Sequence, residues 1–263
     1  MPSLTLSGAQ SIHYRRIDGE GARPCLVFLH EGLGCSAMWG DFPQRLCDLT
    51  ACPGLLYDRV GHGQSSPLAG ARDARYLHEH ALVELPAPPG RLLAPGQDYV
   101  IVGHSDGGSI GLIHAATRPP RLRALMTEAA HVFVEPETLA GIRVAVAAHA
   151  EGKLRGLARY HGERADALFR AWHEIWLDDS FRDWNIQFLL PEISVPTLVL
   201  QGADDQYGTR AQVDAIVSGI AAGGSLVRPL LIDDCGHVPH REQPGVVLQA
   251  MRDFLDGVPG RSA

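Results

Sequence analysis

Short apolar runs recur along the chain, and helix-like segments fill the intervals between them. The runs at residues 25–29, 54–57, 99–102, 122–127, 197–200 and 226–232 are rich in Val, Ile, Leu and aromatic residues. Their alternation with helix-like stretches predicts a mostly parallel α/β sheet. Residues 11–17 and the 4–6 region are expected to supply antiparallel edge strands before the parallel part begins.

Between residues 130 and 191 the strand pattern stops. Helix-like stretches at 137–151, 154–160, 164–175 and 181–188 take over, so the chain divides into a core over 1–130 and 191–263 and a helical insertion over 131–190. The insertion carries Trp172, Trp176, Trp184, Phe169, Phe181 and Tyr160. Such an aromatic load suits a lid over an apolar pocket, and equally suits fastening the inserted helices to the main body. Leu85-Pro86-Ala87-Pro88-Pro89-Gly90 is expected to end a helix begun near Ala74 and to continue as a loop.

Candidate chemistry centres on Tyr99-Val100-Ile101-Val102-Gly103-His104-Ser105-Asp106-Gly107-Gly108, an apolar run that ends in G-x-S-x-G and opens onto a helix-like segment at 109–117. With 29 glycines in the chain a bare G-x-S-x-G is weak, and its setting between strand and helix carries the reading. That setting predicts a nucleophile elbow, in which a sharp turn lifts the Ser105 hydroxyl out of the sheet at a helix N-terminus. A hydroxyl is a poor nucleophile, so a histidine base and a carboxylate to orient it are expected later in the chain. His237 follows the last strand-like run and is the favoured base, with His240 as its rival. The acid is expected after the 196–200 run, where Asp205 is preferred to Asp204 because Asp204 suits the turn itself. Glu128 is a third candidate, and Cys235 reads as a small buried filler rather than a rival nucleophile. Amide donors for a developing oxyanion are expected from Asp106 and from Gly32 in Phe28-Leu29-His30-Glu31-Gly32-Leu33-Gly34.

Composition narrows the class. Formal charge is −7, from 23 Lys+Arg and 30 Asp+Glu, with no basic block longer than Arg15-Arg16, so a nucleic-acid partner is disfavoured. The N-terminus lacks a basic start followed by a long apolar stretch, and no window reaches the length of a membrane span, from which a cytoplasmic enzyme without membrane association is expected. Five cysteines without a C-x-x-C pair suit reduced thiols. No metal site, cofactor or nucleotide motif is expected, the partner is a small-molecule substrate, and the question of a homo-oligomer stays open.

Five segments in order resemble the α/β-hydrolase superfamily: His30-Glu31-Gly32, Tyr57-Asp58-Arg59-Val60-Gly61-His62-Gly63-Gln64-Ser65, the Ser105 elbow, Gly202-Ala203-Asp204-Asp205, and Gly236-His237. The resemblance implies an eight-stranded, mostly parallel sheet flanked by helices, with the insertion as a helical cap. Its G-x-x-D spacing supports Asp205. Two departures stand out. Glu31 occupies a position where many relatives have glycine, and it either repels anionic substrates or pins the loop. Asp106 follows the nucleophile, as in family members that cleave amino-acid esters; it either docks a substrate amine or is tied into the helix start. Trp172 is a candidate substrate contact, while Arg143, Arg159 and His131 either line the pocket or face away from it. The expected activity is hydrolysis of a small carboxylic ester, lactone or thioester through a Ser105 acyl-enzyme, rising with pH as His237 loses its proton. The alternatives are C–C bond hydrolysis of a vinylogous diketone and a retired scaffold that only binds.

Overall fold

Val100, Ile101 and Val102 have no exposed surface, because the strand they form is flanked on both sides within the sheet and covered on both faces. In the computed structural model, which describes residues 2–6 and 10–258, eight strands make one sheet. They are β1 (Ser3–Thr5), β2 (Ser11–Ile17), β3 (Cys25–Leu29), β4 (Gly54–Tyr57), β5 (Tyr99–His104), β6 (Leu122–Glu128), β7 (Thr197–Gly202) and β8 (Val227–Ile232). The order is β1-β2-β4-β3-β5-β6-β7-β8. β1 and β2 pair antiparallel, β2 runs antiparallel to β4, and every later pairing is parallel.

Successive side chains on a strand point to opposite faces, which divides the core in two. Val27, Leu29, Ile101, Leu125 and Val199 pack on one face. Leu26, Phe28, Val100, Val102, Met126 and Leu198 pack on the other. The longer helices are α1 (Phe42–Thr50), α2 (Asp106–Ala116), α3 (Pro136–Ala150), α4 (Ala165–Leu177), α5 (Arg210–Ala222) and α6 (Pro244–Asp256). α1 and α6 cover the second face through Phe42, Leu46, Val247, Met251 and Phe254. Each such side chain contributes about 1.5–3 kcal/mol on full burial.

The expected strands all form. Three helical expectations are corrected. Residues 85–90 do not run on as a loop: Tyr76–Glu79 is a short α-helix that continues as one π-turn at His80–Glu84, and Ala87–Leu92 is again α-helical. Pro88 and Pro89 fall in its first turn, where a missing amide hydrogen costs nothing. Residues 181–188 do not make a helix. Asp178 caps a 3-10 turn at Asp179–Phe181, and Asn185 bridges to Phe133 and accepts from the Gln187 amide before a second 3-10 turn at Gln187–Glu192. Short polar side chains here compete with the helical ladder for the backbone. Residues 154–160 split into Arg155–Leu157 and Ala158–His161, and the helix then stops at Gly162 with φ 60°. Between β6 and β7, the described residues add no strand to the sheet. Among the described residues no helix is long and apolar enough to cross a membrane.

Candidate active site

The end of β5 and the start of α2 meet at Ser105, whose backbone has φ 53° and ψ −118°. A positive φ is strained for any side chain, and here the surroundings enforce it. The Ser105 amide donates to the Glu128 carbonyl on β6 at 2.8 Å, and the Ser105 carbonyl accepts from the amides of Gly108 and Ser109. The turn closes so tightly that a Cβ on Gly103 would stand 2.4 Å from the Gly107 carbonyl oxygen. One on Gly107 would stand 2.0 Å from that of Leu29. Both glycines are therefore dictated by contact, and α2 begins at Asp106 rather than at 109.

Three side chains distant in sequence converge on this turn. His237 Nε2 lies 3.0 Å from Ser105 Oγ, and His237 Nδ1 lies 2.8 and 3.0 Å from the two carboxylate oxygens of Asp205. Ser105 and His237 are each 8% exposed, and the Asp205 carboxylate has no exposed surface. Burial works against the Asp205 charge, yet the bond from His237 and another from the Tyr207 amide at 2.8 Å hold its pKa below the usual carboxylate range. The carboxylate thus accepts from Nδ1–H, which leaves the Nε2 lone pair facing the serine hydroxyl. That arrangement can accept a proton from Ser105 as its oxygen attacks an electrophile.

The other candidates stand outside this bonded line, with the His131 ring 6.0 Å from that of His237. Asp204 is exposed. Glu128 Oε2 accepts from the amide and Nδ1 of His240, so neither residue reaches His237 through that bond. The Cys235 thiol is buried and its pKa is pushed up to about 11, chiefly by burial. His131 is buried against the Tyr207 carbonyl, and Arg143 and Arg159 are exposed.

Gly32 follows β3, and its amide has no acceptor among the described residues. The Asp106 amide, first in α2, has no intrahelical acceptor either. The loop carrying Gly32 is fastened by Arg59, which has no exposed surface and whose Nη2 donates to the carbonyls of Glu31 and His30 at 2.7 and 3.2 Å. Trp172 from α4 rests on this loop: a Cβ on Gly32 would stand 2.6 Å from its Cδ1 and Nε1. His161 reinforces the seam, donating from Nε2 to the Leu33 carbonyl and accepting from the Gly63 amide. Trp176, Phe181 and Trp184 pack on one another, and Trp176 and Phe181 also meet Tyr76, so part of the aromatic load does fasten the inserted helices to the main body. Glu31 turns toward His104, with 3.9 Å between Oε2 and Nδ1, and its carboxyl pKa is raised by burial.

Asp106 is 2% exposed and already engaged. Its Oδ2 accepts from the Tyr76 hydroxyl at 3.0 Å and lies 3.8 Å from Arg59 Nη1. The negative charge is met from within the protein, which leaves the carboxylate poorly suited to docking an ammonium. Arg59 and Tyr76, with His104 and Glu242, are functional-site neighbours that reading the sequence did not single out as site residues. His104 Nε2–H donates to the His237 carbonyl at 2.7 Å, and Glu242 accepts from the Gly236 and Val238 amides on either side of His237. Arg59, Tyr76 and His104 act here through long-range contacts, of which sequence spacing carries no signal, whereas Glu242 bonds within six residues of its own position. Among the described residues, no group of three or more His, Cys, Asp and Glu side chains is arranged to hold a metal ion. A cavity of about 690 Å³ opens beyond Tyr76, bounded also by Val60, Arg72, His80 and Glu84, and Ser105 does not line it.

Comparison with known proteins places this site in context. The alpha/beta hydrolase family matches residues 26–250. The 2-succinyl-6-hydroxy-2,4-cyclohexadiene-1-carboxylate synthase of Enterobacter sp. (strain 638) is 26% identical over 259 residues, covering 90% of this chain and 93% of that one. The proline iminopeptidase of Saccharolobus solfataricus is 23% identical over 290 residues, covering 94% and 90%. The enol-lactonase of Burkholderia xenovorans LB400 superposes with a TM-score of 0.72 at 22% identity, covering 97% of this chain and all of that one (100%). The chain belongs to the alpha/beta hydrolase family.

Proposed function

We propose that the protein hydrolyses a small carboxylic ester, lactone or thioester through an acyl-enzyme on Ser105. The observation that carries this reading is the continuous bonded line from Ser105 Oγ through His237 to Asp205, with separations of 3.0 and 2.8 Å. His237 Nε2 takes the hydroxyl proton as Oγ bonds to the acyl carbon. The imidazolium, held by Asp205, returns that proton to the departing oxygen or sulfur. Water then attacks the acyl-enzyme by the same route and releases the acid and Ser105. The amides of Gly32 and Asp106 hold the oxyanion in both halves, a role in which one donor is worth about 2.7–4 kcal/mol.

The inserted helices serve as a cap, with Trp172 bounding the acyl site above Gly32. Glu31 faces His104 and pins the loop. Asp106 meets substrate through its amide, while its carboxylate serves the framework. A second reading is C–C bond hydrolysis of a vinylogous diketone by the same three residues, since the bonded line from Ser105 to Asp205 would serve it equally.

The discriminating experiment pairs fluorophosphonate labelling with a kcat/KM panel over acyl length, amine content and thioester against oxygen ester. Labelling is expected at Ser105 and absent in Ser105→Ala, with turnover of at least one ester class. Labelling without turnover of any ester, together with cleavage of a vinylogous diketone, would establish the second reading. No labelling at all would leave a scaffold that only binds.

A further inference from the structure

We propose that Tyr76 is a positioning residue that couples docking of α4 to the oxyanion donors beside Ser105, an inference that rests on acyl transfer at Ser105 as proposed above. The Tyr76 hydroxyl accepts from Trp176 Nε1–H at 2.8 Å and donates to Asp106 Oδ2 at 3.0 Å. All three residues are nearly sealed from solvent: Tyr76 and Trp176 are 3% exposed and Asp106 2%. The same carboxylate lies 3.8 Å from Arg59 Nη1, and the other terminal nitrogen of Arg59 holds the carbonyls of His30 and Glu31, just before Gly32. One line of polar contacts therefore runs from an inserted helix, through Tyr76, to both residues whose amides face the developing charge.

The direction of each bond is fixed. A hydroxyl has a single proton, and the Asp106 carboxylate claims it; the remaining lone pairs of the oxygen are met by the indole N–H, which can only donate. Burial and the neighbouring Asp106 push the phenol pKa well above its usual value, so the proton stays in place.

Trp172 and Trp176 stand one helical turn apart on one face of α4, and Trp172 lies against Gly32. The Trp176 ring lies 5.5 Å from that of His131, which lies 6.0 Å from that of His237, so this face of α4 borders the approach to Ser105, itself 8% exposed. Displacement of this face withdraws Trp176 from Tyr76, weakens the polarised line behind it, and loosens Asp106. Return of α4 restores the line. The oxyanion donors are thus held in register only when α4 is seated over the bound acyl group.

The test measures kcat, KM and the rate of fluorophosphonate labelling of Ser105 in the full-length wild type, Tyr76→Phe, Trp176→Phe and the double variant. Tyr76→Phe is expected to lower kcat and the labelling rate about tenfold, well short of the 10²–10³-fold lost with a donor itself, and to leave KM within about twofold. Trp176→Phe should do the same. The double variant should be no slower than either single one, because both break one line. Wild-type rates in Tyr76→Phe, even with a lowered Tm, would mean that the residue only fastens the helix and would overturn the proposal; so would losses that multiply in the double variant. Should Tyr76→Phe fail to fold, the labelling rate of Trp176→Phe decides alone, slow for the proposal and unchanged against it. If the wild type labels but cleaves no ester, the ester reading fails while the labelling ratios still decide on Tyr76. A wild type that does not label removes the foundation and the proposal together.

Discussion

Glu128 and His240 are bonded to each other: one carboxylate oxygen accepts from the His240 amide at 3.0 Å and from its Nδ1 at 2.9 Å. Each rivals a site residue when the chain is read in one dimension, and in three dimensions they form a buried pair beneath the site. The Trp39 ring lies 4.4 Å from the His240 ring, and the Glu128 carbonyl accepts from the Ser105 amide.

Removing Glu128 leaves the buried His240 amide and Nδ1 without their acceptor, at a cost of about 1–3 kcal/mol. Glu128→Ala is therefore expected to lose about that much stability in urea unfolding. Its kcat, measured well below the melting temperature, should fall less than tenfold. An unchanged unfolding midpoint would refute the structural role, and a loss of several thousandfold in kcat would return Glu128 to the list of catalytic acids.

Asp205 and Asp204 are neighbours with opposite expectations. Asp205→Asn reverses the preferred tautomer of His237 by replacing an acceptor with a donor, and kcat/KM should fall about 10⁴-fold. Asp204 is exposed, and Asp204→Asn should stay within about twofold of wild type on the best ester of the panel. Equal losses in the two variants would contradict the geometry.

Acid stability follows from three buried histidines. His30, His62 and His104 are at most 2% exposed, and burial is the chief cause of pKa values well below the usual histidine value. The folded protein keeps them neutral where the unfolded chain binds protons. Their contribution is therefore intact above the unfolded value of about 6.5 and is lost as pH falls below it toward the lowered folded values. Stability should therefore fall as pH drops from 7 to 5.5, and between pH 7 and 8.5 these groups should change it little. Urea unfolding at the three pH values checks this, and a flat profile below pH 7 would disprove it.

The strands were legible because fully buried strands leave unbroken apolar runs, as at Cys25–Leu29. The elbow was legible because steric contact dictates Gly103 and Gly107 in a short local pattern. Ala87–Leu92 was misread because proline breaks a helix only beyond its first turn, and the start of that turn is not marked in the sequence. The 181–188 stretch misled because its rings have a helical look while Asp178 and Asn185 divert the backbone. Arg59 lay in a quoted motif, but its hold on residues 30 and 31 spans 28 or more positions. Tyr76 sits in an Arg- and His-rich segment with no period to reveal that Trp176, 100 residues away, would reach it.

The inserted helices leave the sheet after β6 and rejoin it at β7, whereas Gly32, Ser105, Asp205 and His237 follow β3, β5, β7 and β8. On the reading proposed above, the reacting groups sit at strand ends that the sheet keeps in register, and the wall over them comes from a detour outside the sheet. If that reading holds, replacing the detour alone would change which acyl group fits while leaving the bonded line of Ser105, His237 and Asp205 intact, provided that some residue still reached the position that Trp176 fills.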